Sequence, residues 1–423
     1  MSIKFNEKSA IKLIIILLAA SITIGFLNIT ILYALLAVEL VLISVFFARK
    51  FMGKISLLQF LWIVSTVYII LNSRTFDYNL LFYLLNSILG LMVLICIPKE
   101  SCLVIYNQFK IFAVLGLISG ITILFELIPP NFIIPIFQRL APDDLVDIHS
   151  FLRNGRYLGI TNYVWYTSLL LFLGGGYILS VQKDSTKKQK IFNLVILAVL
   201  FTASFLSGSR SSMLVFPFVA VLFYGGKKTI RNVILALGVL YLLYLFIMYS
   251  NLSLRIIDKF QILINKVKEG AIIDDTRNQL REVAIADFKS NWLFGIGWYE
   301  FRYHTHSLFN KYLHTHNLYL QLIAENGIFG TIIITLPWLA TYIKAVSYFF
   351  KYRNYSENKT YKIVKYFLMI LTLLFIDSFV HVTLFDPRTM LIFYIICGVV
   401  MQLTKTAPDP NPIPDNQLTE VRG

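Results

Sequence analysis

Histidines and arginines are the residues of this 423-residue chain whose types and spacing can do chemistry near neutral pH. Four histidines form two His-Thr-His triplets, His304-Thr305-His306 and His314-Thr315-His316, and the second runs straight into Asn317. Imidazole titrates close to ambient pH, so one of the four can act as a general base while the others hydrogen-bond at an interface. Alternating histidines on an extended segment can also hold zinc. No cysteine or HExxH-type spacing accompanies them, and no metal is expected. Arg210 sits in a small-residue turn, Ser207-Gly208-Ser209-Arg210-Ser211-Ser212. Arg277 and Arg281 lie one turn apart in a helix whose apolar face is Leu280, Val283, Ala284 and Phe288, with Thr276 as its N-cap. A guanidinium grips phosphate bidentately and keeps its proton, so these arginines suit an anionic ligand. Spacing alone gives equal weight to plainer roles: Arg210 snorkelling to headgroups, Arg277 and Arg281 simply exposed.

The elements that position these residues must be membrane helices. Apolar residues make up 57% of the chain and charged residues 14%, and the mean hydropathy is +0.70. Apolar runs of span length recur from end to end. The first, Leu13 to Leu27, resembles a signal peptide but has no small-residue cleavage site, so it reads as a retained span. Lysine-rich turns at 183–190, 227–231 and 351–365 mark the cytoplasmic side. The resulting layout is an all-α polytopic membrane protein of about 12 transmembrane helices with both termini cytoplasmic. Residues 1–250 form spans 1 to 9, with an external loop near 129–161. Residues 251–317 form a large external loop between spans 9 and 10. Residues 318–405 form the last three spans, the first of them broken near Glu325-Asn326-Gly327, and 406–423 a disordered cytoplasmic tail.

In this layout the cytoplasmic cations are mostly lysine and the external ones mostly arginine, Arg74, Arg139, Arg302 and Arg388 among them. Positive charge outside opposes the insertion bias, and an external site for a phosphorylated, lipid-borne ligand accounts for it. The net charge of +15 follows from the loop lysines and does not call for nucleic acid, since no basic soluble domain exists to bind it. Cys96, Cys102 and Cys397 have no metal or redox spacing and fall in or near the cytoplasmic half, where thiols stay reduced.

Several motifs in order resemble the O-antigen ligase and polymerase superfamily. They are Leu206-Ser207-Gly208-Ser209-Arg210-Ser211-Ser212, Thr276-Arg277 followed by Gly295-Ile296-Gly297, His316-Asn317-x-Tyr319-Leu320-Gln321, and Glu325-x-Gly327-x-x-Gly330. The likeness runs over residues 195–335. It implies a GT-C-like membrane glycosyltransferase with its large loop in the periplasm of the bacterial inner membrane. It further implies transfer of a glycan from undecaprenyl pyrophosphate to an acceptor hydroxyl, with no metal, nucleotide or other cofactor. Carried over motif by motif, Arg210 and Arg277 bind the pyrophosphate; Arg281, which stands where the family often has an aromatic residue, is expected to share the anion from its one-turn spacing to Arg277. His316 activates the acceptor hydroxyl, supported by His314, Asn317 and Glu325.

The expected reaction is ligation of O-antigen to lipid A-core, with polymerisation of lipid-linked repeat units as the alternative. A polysaccharide flippase is the competing reading from another class. A transporter lines a midplane pathway with its charged residues, whereas here they collect at one face.

Overall fold

The computed structural model describes residues 7–23, 55–75, 77–126, 164–225, 231, 238 and 275–407. The expected spans 31–47 and 233–249 (Gly238 excepted), the external segments 129–161 and 251–274, and the tail from 408 lie outside the described residues. Among the described residues the regular secondary structure is helical, apart from one isolated bridge between Ser73 and Trp298.

The helices in chain order are α1 Glu7–Thr23, α2 Leu57–Leu71, α3 Tyr78–Cys96, α4 Lys99–Gln108, α5 Lys110–Glu126, α6 Val164–Val181, α7 Lys187–Leu206, α8 Arg210–Tyr224, α9 Asp275–Ser290, α10 Phe301–Phe309, α11 Leu318–Lys351, α12 Lys359–Asp377 and α13 Pro387–Leu403. Among the described residues, α6, α7, α11 and the α4–α5 pair (Lys99–Phe125) are long and apolar enough to cross a membrane. Shorter apolar helices accompany them.

Burial sorts these helices into centre and rim. Met390 to Met401 of α13 and Tyr361 to Leu374 of α12 are buried almost all round, as helices at a bundle's centre must be. α3 packs on α13, α2 on α11, α8 on α12, and α5 on α7. The rim helices turn large apolar side chains outward, as water-soluble helices do not. Ile332, Leu336, Leu339 and Ile343 form such a stripe on α11, and Leu214, Phe218 and Leu222 another on α8. Spaced by three and four residues, these side chains form one lipid-facing face per helix. This is a membrane protein.

The two ends of the bundle differ in chemistry. At one end Lys183 pairs with Glu357, and Lys362 with Asp184 at 2.9 Å. Lys99 hydrogen-bonds Thr406 at 2.8 Å there. At the other end the α2–α3 turn, the α9–α11 segment and the turn before α13 meet. Trp298 donates its amide to the Asn72 carbonyl at 2.9 Å. Its indole stacks on Phe385 at 4.5 Å and 11°. Among the described residues, Lys99, Lys183 and Lys362 thus lie at the end opposite Arg74, Arg302 and Arg388.

Candidate active site

The arginine-bearing end is assembled on two backbone segments that dock without side chains between them. Ile296 and Gly297 donate their amides to the Ala324 and Glu325 carbonyls at 3.1 and 2.9 Å. Ile328 and Phe329 donate theirs to the Trp292 and Leu293 carbonyls at 2.9 and 3.1 Å. This contact breaks α11: Gly327 has φ 59° and ψ −167°. A Cβ on Gly327 would lie 2.3 Å from the Leu293 carbonyl carbon, and one on Gly295 (φ 71°) 2.2 Å from that of Glu325. Only glycine permits both the left-handed backbone and the approach. The Gly295-Ile296-Gly297 and Glu325-x-Gly327 motifs are two halves of one joint.

Glu325 fixes the joint from inside. It is fully buried. Its carboxylate accepts the amides of Tyr299 (2.8 Å) and Phe301 (3.2 Å) and the Gln321 side-chain amide (3.0 Å). It therefore scaffolds the chain around Arg302 and His314. Tyr299 (φ 69°), Asn310 (54°) and His316 (55°) are the non-glycine residues with positive φ among those described. All three lie in this segment, and such strain persists only where the surroundings enforce it.

In each His-Thr-His triplet the threonine is the buried anchor and the histidines are more accessible. Thr305 Oγ1 accepts the Leu313 amide at 3.0 Å. Thr315 Oγ1 accepts the Asn317 amide at 3.1 Å and donates to its carbonyl at 2.6 Å. The first triplet is not extended as a zinc reading requires: His304 and His306 belong to α10. His304 Nδ1 pairs with the Asp287 carboxylate at 2.8 Å, and His306 stacks on Tyr312 at 4.2 Å. Burial raises the Asp287 pKa and His304 holds it down.

His316 is exposed at the entrance to α11. Asn317 caps that helix, its Oδ1 accepting the Leu320 amide at 3.0 Å, while its Nδ2 donates to the Phe379 carbonyl at 3.2 Å. Asn317 thus sets the backbone that presents His316, and ties it to the end of α12. His314 is half-buried. Its pKa is lowered to about 4 by burial first, then by the charges of Arg302 and His316.

The pyrophosphate-binding candidates fare differently. Arg210 opens α8, and nothing is described of its side chain. The turn before it is tightly built, with Ser209 hydrogen-bonded to Ser168 of α6 and to Ser212. Asp275 and Thr276 are both helical residues of α9, so Thr276 is not its cap. Arg277 and Arg281 are exposed on α9, whose Leu280 and Ala284 bury against Phe301 and Ala324. The two arginines therefore share a solvent-facing side one turn apart, as their spacing implies. No described contact joins them to His314 or His316.

Three features of this end are not anticipated by the sequence. Arg302 is enclosed by Tyr299, Tyr303 and Tyr312, its guanidinium carbon 4.9, 5.5 and 5.0 Å from their ring centres. Asp377, wholly buried, holds His381 Nδ1 at 3.0 Å, a pair whose i,i+4 spacing in the sequence is the available signal. Asp386 caps α13 through the Arg388 and Thr389 amides (3.1 and 2.9 Å) and accepts the Tyr166 hydroxyl at 2.6 Å. Burial raises its pKa to about 6.

Residues 195–335 match the family model described as O-antigen ligase. That interval contains Arg210, Arg277, the glycine joint, His316 and Glu325, and over it the chain is similar to the O-antigen ligase family. No curated protein matches the chain.

Proposed function

We propose that this protein is an inner-membrane O-antigen ligase. It moves a glycan en bloc from undecaprenyl pyrophosphate to a sugar hydroxyl of lipid A-core on the periplasmic side. The observation that carries the reading is the convergence, at the end of the bundle opposite the lysines, of the elements that hold Arg277, Arg302, His314 and His316 within the family-matched interval. A membrane enzyme working where no ATP is available needs a donor that is already activated, and a lipid pyrophosphate is one.

In this mechanism the acceptor oxygen forms the new bond to the anomeric carbon, and His316 takes its proton. The bond from that carbon to the pyrophosphate oxygen breaks, and the leaving group keeps the electron pair. Arg210 and Arg277, with Arg281 beside them, meet the charge that develops on the pyrophosphate. A guanidinium meets such oxygens with two charge-assisted hydrogen bonds in a planar fork. A positioned base contributes roughly 10²–10⁴-fold. The outward apolar stripes of α8 and α11 give the polyprenyl chain a surface of its own polarity.

A deletion strain tests the reading. It should still make long polyprenyl-linked chains and leave its lipid A-core uncapped. Lipid A-core bearing a single repeat unit would instead identify a polymerase.

A further inference from the structure

The apolar stripe on α11 runs on to the point where the helix breaks. Phe329, Ile332, Leu336, Leu339 and Ile343 are all exposed and follow one another at spacings of three and four, so they share one face. One turn further, past Gly327, that face reaches Glu325, which is buried. The turn that follows α9 covers it. The Trp292 and Leu293 carbonyls accept the Ile328 and Phe329 amides there, and the Phe294 ring stacks on Phe329 at 5.9 Å and 26°. Trp292, Phe294 and Phe329 nevertheless remain 53%, 58% and 56% exposed.

An open apolar patch of this kind marks an interaction surface, and this one continues the lipid-facing stripe of α11. Its backbone is suited to lipid. A segment that enters a bilayer must satisfy its polar groups internally. The Asn291, Trp292 and Leu293 carbonyls accept the amides of Gly295 (2.7 Å), Ile328 (2.9 Å) and Phe329 (3.1 Å). Its depth is suited as well. Phe329 and Lys351 are about 33 Å apart along α11 at the ordinary helical rise, close to the ~30 Å of hydrocarbon in a bilayer. Lys351 is exposed at the lysine end of α11 and belongs at one boundary, which leaves the three rings at the other. Tryptophan is enriched at that level. Lys289 and Asn291, exposed just before the rings, suit the headgroups beside them.

We propose that Trp292 and Phe294, seated on Phe329, form a membrane elbow that dips into the bilayer boundary at the arginine-bearing end. Its partner is the interfacial layer of phospholipid. Residues 251–317, expected as an external loop, thus touch lipid at this turn. The contact fixes the depth of the glycine joint, since Gly295 follows Phe294 and Gly327 lies against Leu293. It holds whichever glycan reaction the protein performs.

The test uses the full-length protein in nanodiscs of phosphatidylcholine, either plain or brominated on the acyl chain near the headgroup. Bromine quenches tryptophan fluorescence at short range. Trp62, Trp298 and Trp338 are buried and Trp165 is half-buried, so Trp292 has the most open indole. Brominated lipid should quench the wild type. Trp292→Phe, which keeps an apolar ring at the site, should lose most of that quenching. Iodide, which stays in water, should quench the two proteins alike. Bromolipid quenching that persists in full in Trp292→Phe would overturn the proposal. Iodide quenching that the substitution removes would put the turn in water and overturn it too. A Trp292 reached by neither quencher would mean that a protein or a second copy of this chain covers the patch, and lipid would again be the wrong partner. In case Trp292→Phe fails to fold, a spin label reads the same depth at Ile328→Cys, since Ile328 is exposed beside Phe329 and the native cysteines are buried. It should collide with oxygen more than a label at Lys311→Cys does, and with a water-soluble nickel chelate less. Equal accessibility at the two positions would overturn the proposal.

Discussion

The Glu325 carboxylate accepts the Tyr299 amide at 2.8 Å. Through this contact a buried side chain of α11 sets the backbone from which Arg302 projects. The same carboxylate holds Gln321, and Gln321 holds His314. Glu325→Ala should therefore reduce transfer and stability together, leaving two amides without acceptors at a cost of roughly 2 kcal/mol or more. Glu325→Gln keeps an oxygen for one of them and should be milder in thermal melting. An alanine variant with wild-type melting and wild-type transfer would show that the carboxylate supports nothing.

The glycine joint makes a sharper stability prediction. Gly295→Ala and Gly327→Ala each place a Cβ within 2.3 Å of backbone at positive φ. Each should lose roughly 2 kcal/mol or more, read as a lower melting temperature in detergent. Gly238, where a Cβ would meet nothing within 4 Å among the described residues, is the control, and Gly238→Ala should melt with wild type.

His314 gives a stability–pH relation of definite sign. Its folded pKa of about 4 lies below the ordinary 6.5. As pH falls below 6.5 the unfolded chain takes up a proton that the folded ring refuses, so stability is lost progressively from pH 6.5 toward 4. His314→Gln removes this linkage and should flatten that limb of the melting-temperature profile. An unchanged limb would mean that His314 is not held neutral.

Sidedness can be read by thiol labelling, since the native Cys96, Cys102 and Cys397 are all buried. Lys311 and Lys188 are both exposed, the first at the arginine-bearing end and the second at the lysine end. A Lys311→Cys variant should react with an impermeant maleimide in cells whose outer membrane alone is opened. A Lys188→Cys variant should react only after the inner membrane is permeabilised. The reverse pattern would invert the protein and move the proposed site to the cytoplasm.

Much of this arrangement is legible in the sequence because its determinants are local. Apolar run length marks the helices, and the break at Gly327 follows from Glu325-Asn326-Gly327. Lysine against arginine separates the two ends. What stays hidden depends on pairings between distant segments. Gly295 and Gly327 are adjacent in space only because α9 and α11 fold back on each other. Arg302 looks like any external arginine until Tyr299, Tyr303 and Tyr312 close around it. Gln321 is visible in its motif, but its role emerges only with Thr315, Glu325 and His314 in place. The helical state of His304-Thr305-His306 is masked because the alternation itself suggests an extended chain. Asp377 and His381 have i,i+4 spacing, yet the apolar run carries through Asp377 to Val380 and disguises the acid as part of a span.

The most direct measurement is transfer in proteoliposomes containing the purified protein, an undecaprenyl-pyrophosphate-linked glycan and lipid A-core. Wild type should cap the acceptor. His316→Ala should lower the rate by about 10²-fold or more with unchanged melting temperature. Arg277→Lys, which keeps the charge but loses the planar fork, should lower it severely as well. Capping of lipid A-core by His316→Ala at the wild-type rate would contradict the account.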